Sequence, residues 1–442
     1  MTSDVSLNGY ADNSLPVRPR RETLDSTTHS LGMQPEIETL PSDDLESIRH
    51  NLIPQYLRLI DSSLRILGLL PHIPVKSTCV SYILYIYHIG VWFSSWSLFI
   101  VRFASYHFRL SQRQDLSIGV GVATLVTLHV ISLKICVMIH VALEFAKKRK
   151  RIYALWEEYK ITHGGDWEGP LRRRVFSTFL ICWGLTLGYC ILIWIVYFIS
   201  DSSRHFQKEW VVFSSFPIIP DGFIADVLIL VYNVFCICHP TAIMYMMLGL
   251  FFILITDITR DFTKLNTEFE RTLDGSDPSE VHSTLHTFHV KHQILCDFLH
   301  EIDDLFCPMV LSVFACGICV ICLAIYTAVL GPSSDQFYWI LSITIPVAVF
   351  FLTLMVTLAF LGARLSTVAY GCKNLLFDLD CQKLISSDRF ILEYMSFMSR
   401  LNSEKLNISG WKLFMINKSS INSMIMIIAT YTVLMLKMDF GQ

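Results

Sequence analysis

The chain has 442 residues, 53% of them apolar and 17% charged, with a mean hydropathy of +0.48. A soluble domain carries less apolar and more charged sequence, so this composition excludes one and points to a protein that crosses a membrane several times. The net charge of −3 says little, because the basic residues are gathered in particular segments.

Residues 1–45 are polar and rich in Ser, Asp and Pro, with no apolar run of the kind a cleaved signal needs, and are expected to form a disordered cytoplasmic tail. Residues 46–75 then read as an amphipathic lead-in helix. Ile53, Leu57, Ile60, Leu64 and Leu67 recur at helical spacing, Arg58 and Arg65 fall on other faces, and the pattern stops at Leu69-Leu70-Pro71. Such a helix suits the inner membrane surface, and the same spacing fits an ordinary helix packed on protein.

Seven windows are long and apolar enough to cross a hydrocarbon core of roughly 30 Å. They lie at 79–103, 117–143, 175–199, 223–256, 305–330, 337–362 and 415–437. Backbone groups in lipid must be paired within the segment, so the expected fold is all-α with seven transmembrane helices. The fourth window exceeds a bilayer and contains Pro240, which predicts a kinked helix projecting beyond the membrane. Residues 76–256 would thus hold the first four helices and 305–362 the fifth and sixth. Segments 257–304 and 363–414 would be cytoplasmic helical extensions, and 415–442 a last helix with a short tail.

The segment between the second and third windows holds Lys147, Lys148, Arg149, Lys150, Arg151, Lys160, Arg172, Arg173 and Arg174, which places it inside on the positive-inside rule. The loop 331–336 holds no Lys or Arg, and the one after the third window holds only Arg204 and Lys208. Alternation then puts the N-terminus in the cytoplasm and the tail, 438–442, outside. Most of the 13 cysteines, including Cys136, Cys182, Cys190, Cys236, Cys238, Cys316, Cys319 and Cys322, fall in or beside apolar windows, so no extracellular disulfide is expected. The sequons at Asn407 and Asn417 fall on the inner side or at the start of the last helix and should carry no glycan.

The outer half of the membrane region gathers aromatic side chains with a few polar groups, a composition suited to a small organic ligand. Candidates are Trp92 and Trp96, Trp194 and Tyr197, Asp226, Tyr232 and Asn233, Tyr326, and Tyr338 and Trp339. Interfacial Trp and Tyr more often anchor a helix at the headgroups. Asp226 and Asn233 are stronger, being seven apart and so on one helix face. His282, His286 and His289 recur at i, i+4 and i+7, with His292 and His300 beyond; the spacing fits zinc, but a polar helix face is commoner and no metal or other cofactor is expected. Lys134, in the inner half of the second window, would snorkel or pair within the bundle. No GxSxG, HExxH, P-loop or paired-carboxylate motif is present, so an enzyme is not expected, nor is a nucleic-acid partner.

The last apolar segment, 421–440, carries Thr430-Tyr431, five apolar residues, then Lys437, Met438, Asp439 and Phe440. This resembles the ending of insect gustatory receptors, in which Thr-Tyr and five apolar residues are followed by Gln-Phe; here Lys437 and Met438 replace that pair and Phe440 follows. The Leu-Gly-Leu-Leu-Pro run at 67–71, the segment 295–326 with Asp304 and Phe306, and Trp411, Phe414 and Asn417 are similar to further stretches of that family. The resemblance implies a ligand-gated, non-selective cation channel in the plasma membrane, detecting a small tastant. It also implies a homo- or hetero-tetramer with the seventh helices around a central pore, lipid around it, and the inner extensions packed below as an anchor. On such a helix Lys437 shares a face with Val433, Thr430 and Met426. Thr432 stands where sugar receptors commonly have an acid. A transporter, or a subunit that works only in heteromers, is the alternative.

Overall fold

A computed structural model describes residues 55–68, 86, 90, 93, 100, 118–163, 168–199, 223–233, 238–275, 278–330, 335–377, 388–403 and 406–440. All lie within one compact unit, Pro54–Gln442. The expected tail, 1–45, falls outside the described residues, as does most of the first window, where Ile86, Gly90, Phe93 and Ile100 are helical and exposed.

The architecture is all-α apart from one small hairpin. Helix α1 is Gln55–Ile66, α2 Ile118–His163, α3 Glu168–Ile199, α4 Phe223–Asn233 and α5 His239–Gly275. After these come α6 Pro278–Leu330, α7 Asp335–Ala369, α8 Gly371–Phe377 and α9 Asp388–Ser403. Strands β1 (Ser409–Gly410) and β2 (Phe414–Met415) pair antiparallel, and α10 (Lys418–Phe440) follows. Among the described residues four stretches are long and apolar enough to span a membrane, Pro170–Leu192, His239–Thr272, Ser283–Tyr326 and Ile345–Phe377, with a shorter apolar helix at Asn422–Leu434.

Two boundaries differ from the sequence reading. The lead-in helix stops at Ile66, not at the proline: Gly68 takes φ 67°, and its N–H donates to the Arg65 carbonyl at 2.9 Å, a left-handed cap that closes the last turn. The apolar face of α1 (Ile60, Leu64, Leu67) is buried on protein, where it meets α3. The basic segment expected as a loop is helical on both sides, because α2 runs on to His163 and α3 starts at Glu168. Pro240 lies two residues after the π-helical Cys238, and the stretch 234–237 before it falls outside the described residues.

The fold is organised around α6, 53 residues long and so about 80 Å. It packs against α2, α5, α7, α9, α10 and the hairpin. Its buried seam is read directly from helical spacing: Leu285, Phe288, His292, Leu295, Leu299, Ile302, Phe306, Met309 and Val313. A matching seam on α5 runs Phe251, Leu254, Ile258, Phe262, Leu265 and Phe269. Both seams continue past the apolar windows, so each helix is packed along most of its described length. Where such a residue leaves water on folding, each buried Leu or Phe contributes about 1.5–3 kcal/mol. Elsewhere apolar residues face outward, on α3 (Phe176, Leu180, Leu187, Ile191) and α7 (Val349, Leu352, Val356, Phe360), as a helix bordering lipid requires.

Candidate functional site

Helix α10 is fastened at its N-terminal end by the hairpin that precedes it. Asp303 of α6 accepts two hydrogen bonds from the fully buried Ser409, from its N–H (2.7 Å) and its hydroxyl (2.8 Å). Trp411 N–H donates to the Cys307 carbonyl at 3.1 Å, and Lys412 pairs with Asp304 at 2.8 Å. These anchors flank Pro308, which lies inside α6 and cannot donate to the Asp304 carbonyl; the Cys307 thiol reaches that oxygen instead, at 3.7 Å. Gly362 of α7 completes the seat: a Cβ there would meet Ile416 Cγ2 at 2.7 Å, so the chain leaving the hairpin passes α7 only because no side chain intervenes. Asn417 then caps α10, its Oδ1 accepting from Ser420 N–H (3.0 Å) while Ser420 Oγ accepts from Asn417 N–H (3.1 Å).

Beyond this cap α10 holds to its own subunit by a narrow stripe. Met424 is buried and Ile428 and Thr432 are half-buried, against α6, α7 and α2. Met426, Thr430, Val433 and Lys437 are exposed, and helical spacing puts them roughly opposite that stripe. Tyr431 is 57% exposed as well. The side chain of Phe440 lies outside the described residues.

Of the ligand candidates, Tyr326 is fully buried in α6, Asp226 is half-buried on α4, and Trp194 is exposed on α3. Trp194 therefore borders the outside of the bundle while Tyr326 belongs to its core. Tyr197, Tyr232, Asn233, Tyr338 and Trp339 lie on helices, but their side chains fall outside the described residues, and Trp92 and Trp96 fall outside them altogether. Lys134 pairs within the bundle, its ammonium 4.0 Å above the Phe351 ring of α7.

The histidines divide by face. His286 Nδ1 lies 2.6 Å from Glu393 of α9, and His289 lies 3.8 Å from the same oxygen. His292 sits in the buried seam among Phe262, Phe288 and Phe397. Its Nε2 is 3.3 Å from the Ala369 carbonyl, an acceptor only, so that nitrogen carries the proton, and Nδ1 is left to accept from the Cys296 thiol at 3.3 Å. Burial lowers its pKa to about 4. Among the described residues no group of three or more His, Cys, Asp or Glu is placed to hold a metal ion. The side chain of His282 falls outside them.

The sequence reading missed Asp303 and Ser409 entirely, since a contact 106 residues apart leaves no local trace. It had marked Asp304, Trp411, Phe414 and Asn417 only by resemblance.

Solved structures that share this fold include two of the insect olfactory receptor OR5 from Machilis hrabei, one in complex with eugenol (TM-score 0.58) and a second of the same receptor (TM-score 0.59). Each is 17% identical over 90% of this chain and 100% of that chain. No curated protein matches the sequence. The model of the 7tm chemosensory receptor family matches residues 57–440, nearly the whole described fold, and the chain belongs to that family.

Proposed function

We propose that the chain is a gustatory receptor subunit, a ligand-gated, non-selective cation channel of the plasma membrane opened by a small tastant. It works as a tetramer with α10 around the conduction path. The observation that carries this reading is the two-sided α10, which holds to its own subunit by one stripe and leaves Met426, Thr430, Val433 and Lys437 for other partners. The ligand would bind in the outer half of the bundle among Trp194, Tyr197, Asp226, Asn233, Tyr326, Tyr338 and Trp339. Binding of eugenol by the structurally similar olfactory receptor supports a small organic ligand. Seven transmembrane helices with the N-terminus inside and the C-terminus outside fit the placement of basic residues.

Lys437 favours a second form of the same reading. Four ammonium groups around one axis oppose cation passage, so the chain would conduct best in a heteromer whose other subunits carry a neutral residue there. Expression of the chain alone in cultured cells, with calcium imaging against a panel of tastants, tests both forms. A tastant-evoked calcium rise supports the homomer. A response that appears only with a co-expressed related receptor supports the heteromer, and absence of tastant-evoked current in every combination refutes a channel.

A further inference from the structure

Two sets of cations at the inner end of the bundle contrast. Four on α2 pair with carboxylates: Lys147 with Glu144 (2.6 Å), Lys148 and Arg151 with Glu301 (3.8 and 3.1 Å), and Arg149 with Asp61 (3.9 Å). Arg172, Arg173 and Arg174 on α3 are all exposed and form no ion pair among the described residues. They are held in a rigid turn, because Leu171 and Val175 on either side are buried at 1% and 0% exposure.

Their depth follows from neighbouring contacts. A Cβ on Gly249 of α5 would meet Cys182 Sγ and Thr178 Cγ2, and Cys182 Sγ donates to the Tyr245 carbonyl, so α3 and α5 run antiparallel with Thr178 level with Gly249. Arg174 is one turn, about 6 Å, further toward the inner end. The three arginines thus stand level with about residues 252–256 of α5, where the fourth apolar window closes. Immediately above them α3 turns Phe176, Leu180 and Ile181 outward at 58–62% exposure. Bare guanidinium groups below an apolar, outward-facing wall stand at headgroup level.

The guanidinium groups are exposed, stand in the second turn of α3 and form no ion pair with a described side chain, so they are open to an external anion. Consecutive residues are 100° apart on a helix, so the three groups fan over about 200° and cannot converge on a single phosphate. A headgroup bearing several phosphates fits that spread, and guanidinium binds phosphate bidentately.

We propose that Arg172, Arg173 and Arg174 form a docking site for a phosphoinositide of the cytoplasmic leaflet. The side of the membrane rests on the topology proposed above, whereas the headgroup chemistry does not. The test therefore uses purified receptor, in which orientation plays no part. Receptor in detergent is mixed with micelles containing phosphatidylinositol 4,5-bisphosphate, phosphatidylserine or phosphatidylcholine, and retained lipid is read by native mass spectrometry. Wild type should retain the phosphoinositide at least tenfold over phosphatidylcholine and clearly over phosphatidylserine. The variant R172Q/R173Q/R174Q should lose that preference, and K147Q, which removes a cation already paired, should keep it. If the triple variant is poorly folded, R172K/R173K/R174K preserves charge and should retain the lipid several-fold less well, because lysine cannot bind bidentately. Unchanged retention in both triple variants overturns the site. So does a preference no greater than for phosphatidylserine, or equal competition by soluble inositol trisphosphate, which would make it a site for free phosphate rather than lipid.

Discussion

Asp303 and His292 show how single side chains set the behaviour of the inner bundle. Asp303 accepts both hydrogen bonds that Ser409 can donate, and Ser409 is fully buried, so truncating either leaves a buried group unpaired. Asp303→Ala is expected to lower the stability of the purified receptor by about 2–3 kcal/mol and Ser409→Ala by about 1 kcal/mol. The double variant should fall short of their sum in thermal unfolding, because both remove the same contact. Strict additivity would show that the two do not act together. His292 makes a pH prediction. Burial keeps its imidazole neutral down to about pH 4, against an ordinary value of 6.5, despite the opposing hydrogen bond to the Ala369 carbonyl. A base depressed in the folded state is matched in protonation above its unfolded value, so its contribution is complete above pH 6.5. It is lost as pH falls from 6.5 toward 4, by about 3 kcal/mol at most. The melting midpoint should be flat from pH 8 to 6.5 and drop below that, and His292→Leu should flatten the drop. The histidine spacing was legible in the sequence, but its meaning was not. His286 and His289 face α9 while His292 falls on the apolar seam, a division that depends on where neighbouring helices pack.

At the scale of elements, apolar windows and helical spacing foretold the long helices because both are local properties. The hairpin was not foretold. Its strands have two residues each, and its turn places Trp411 and Lys412 at φ 48° and 59° without the Asn-Gly signature, at a cost of roughly 1 kcal/mol each. Contacts with α6 and α7 offset that cost, and sequence alone does not contain them. Helix α10 was legible in extent and in the spacing of its exposed face. If that face lines the pore, Lys437→Gln should raise single-channel cation conductance severalfold at low salt, with a smaller gain at high salt, where screening weakens the ring of charge. Identical conductance and reversal potential in the two proteins would place Lys437 away from the ions.

At the scale of the molecule, helical class and membrane character were carried by composition, and the length of α5 past its apolar window was foretold as well, whereas the packing of α1 on α3 emerged only in three dimensions. Sidedness is open to direct measurement. A tag at the C-terminus should be stained by antibody in unpermeabilised cells and a tag at the N-terminus only after permeabilisation; the reverse pattern, or a glycan at Asn407, would invert the assignment. The length of α6 has a mechanical consequence. Pro308 divides the rod into 30 residues on its N-terminal side and 22 on its C-terminal side, arms of about 45 and 33 Å. If the proline is a fulcrum, the hairpin bonded at Asp303 and Cys307 sits almost on it, where travel is least and rotation is transmitted undiminished. A tilt of the C-terminal arm would then reach α10 as torque rather than as displacement. Spin labels at positions 283 and 328 should change separation when an agonist binds, while labels at the exposed positions 300 and 413, on either side of the hairpin contact, should keep theirs.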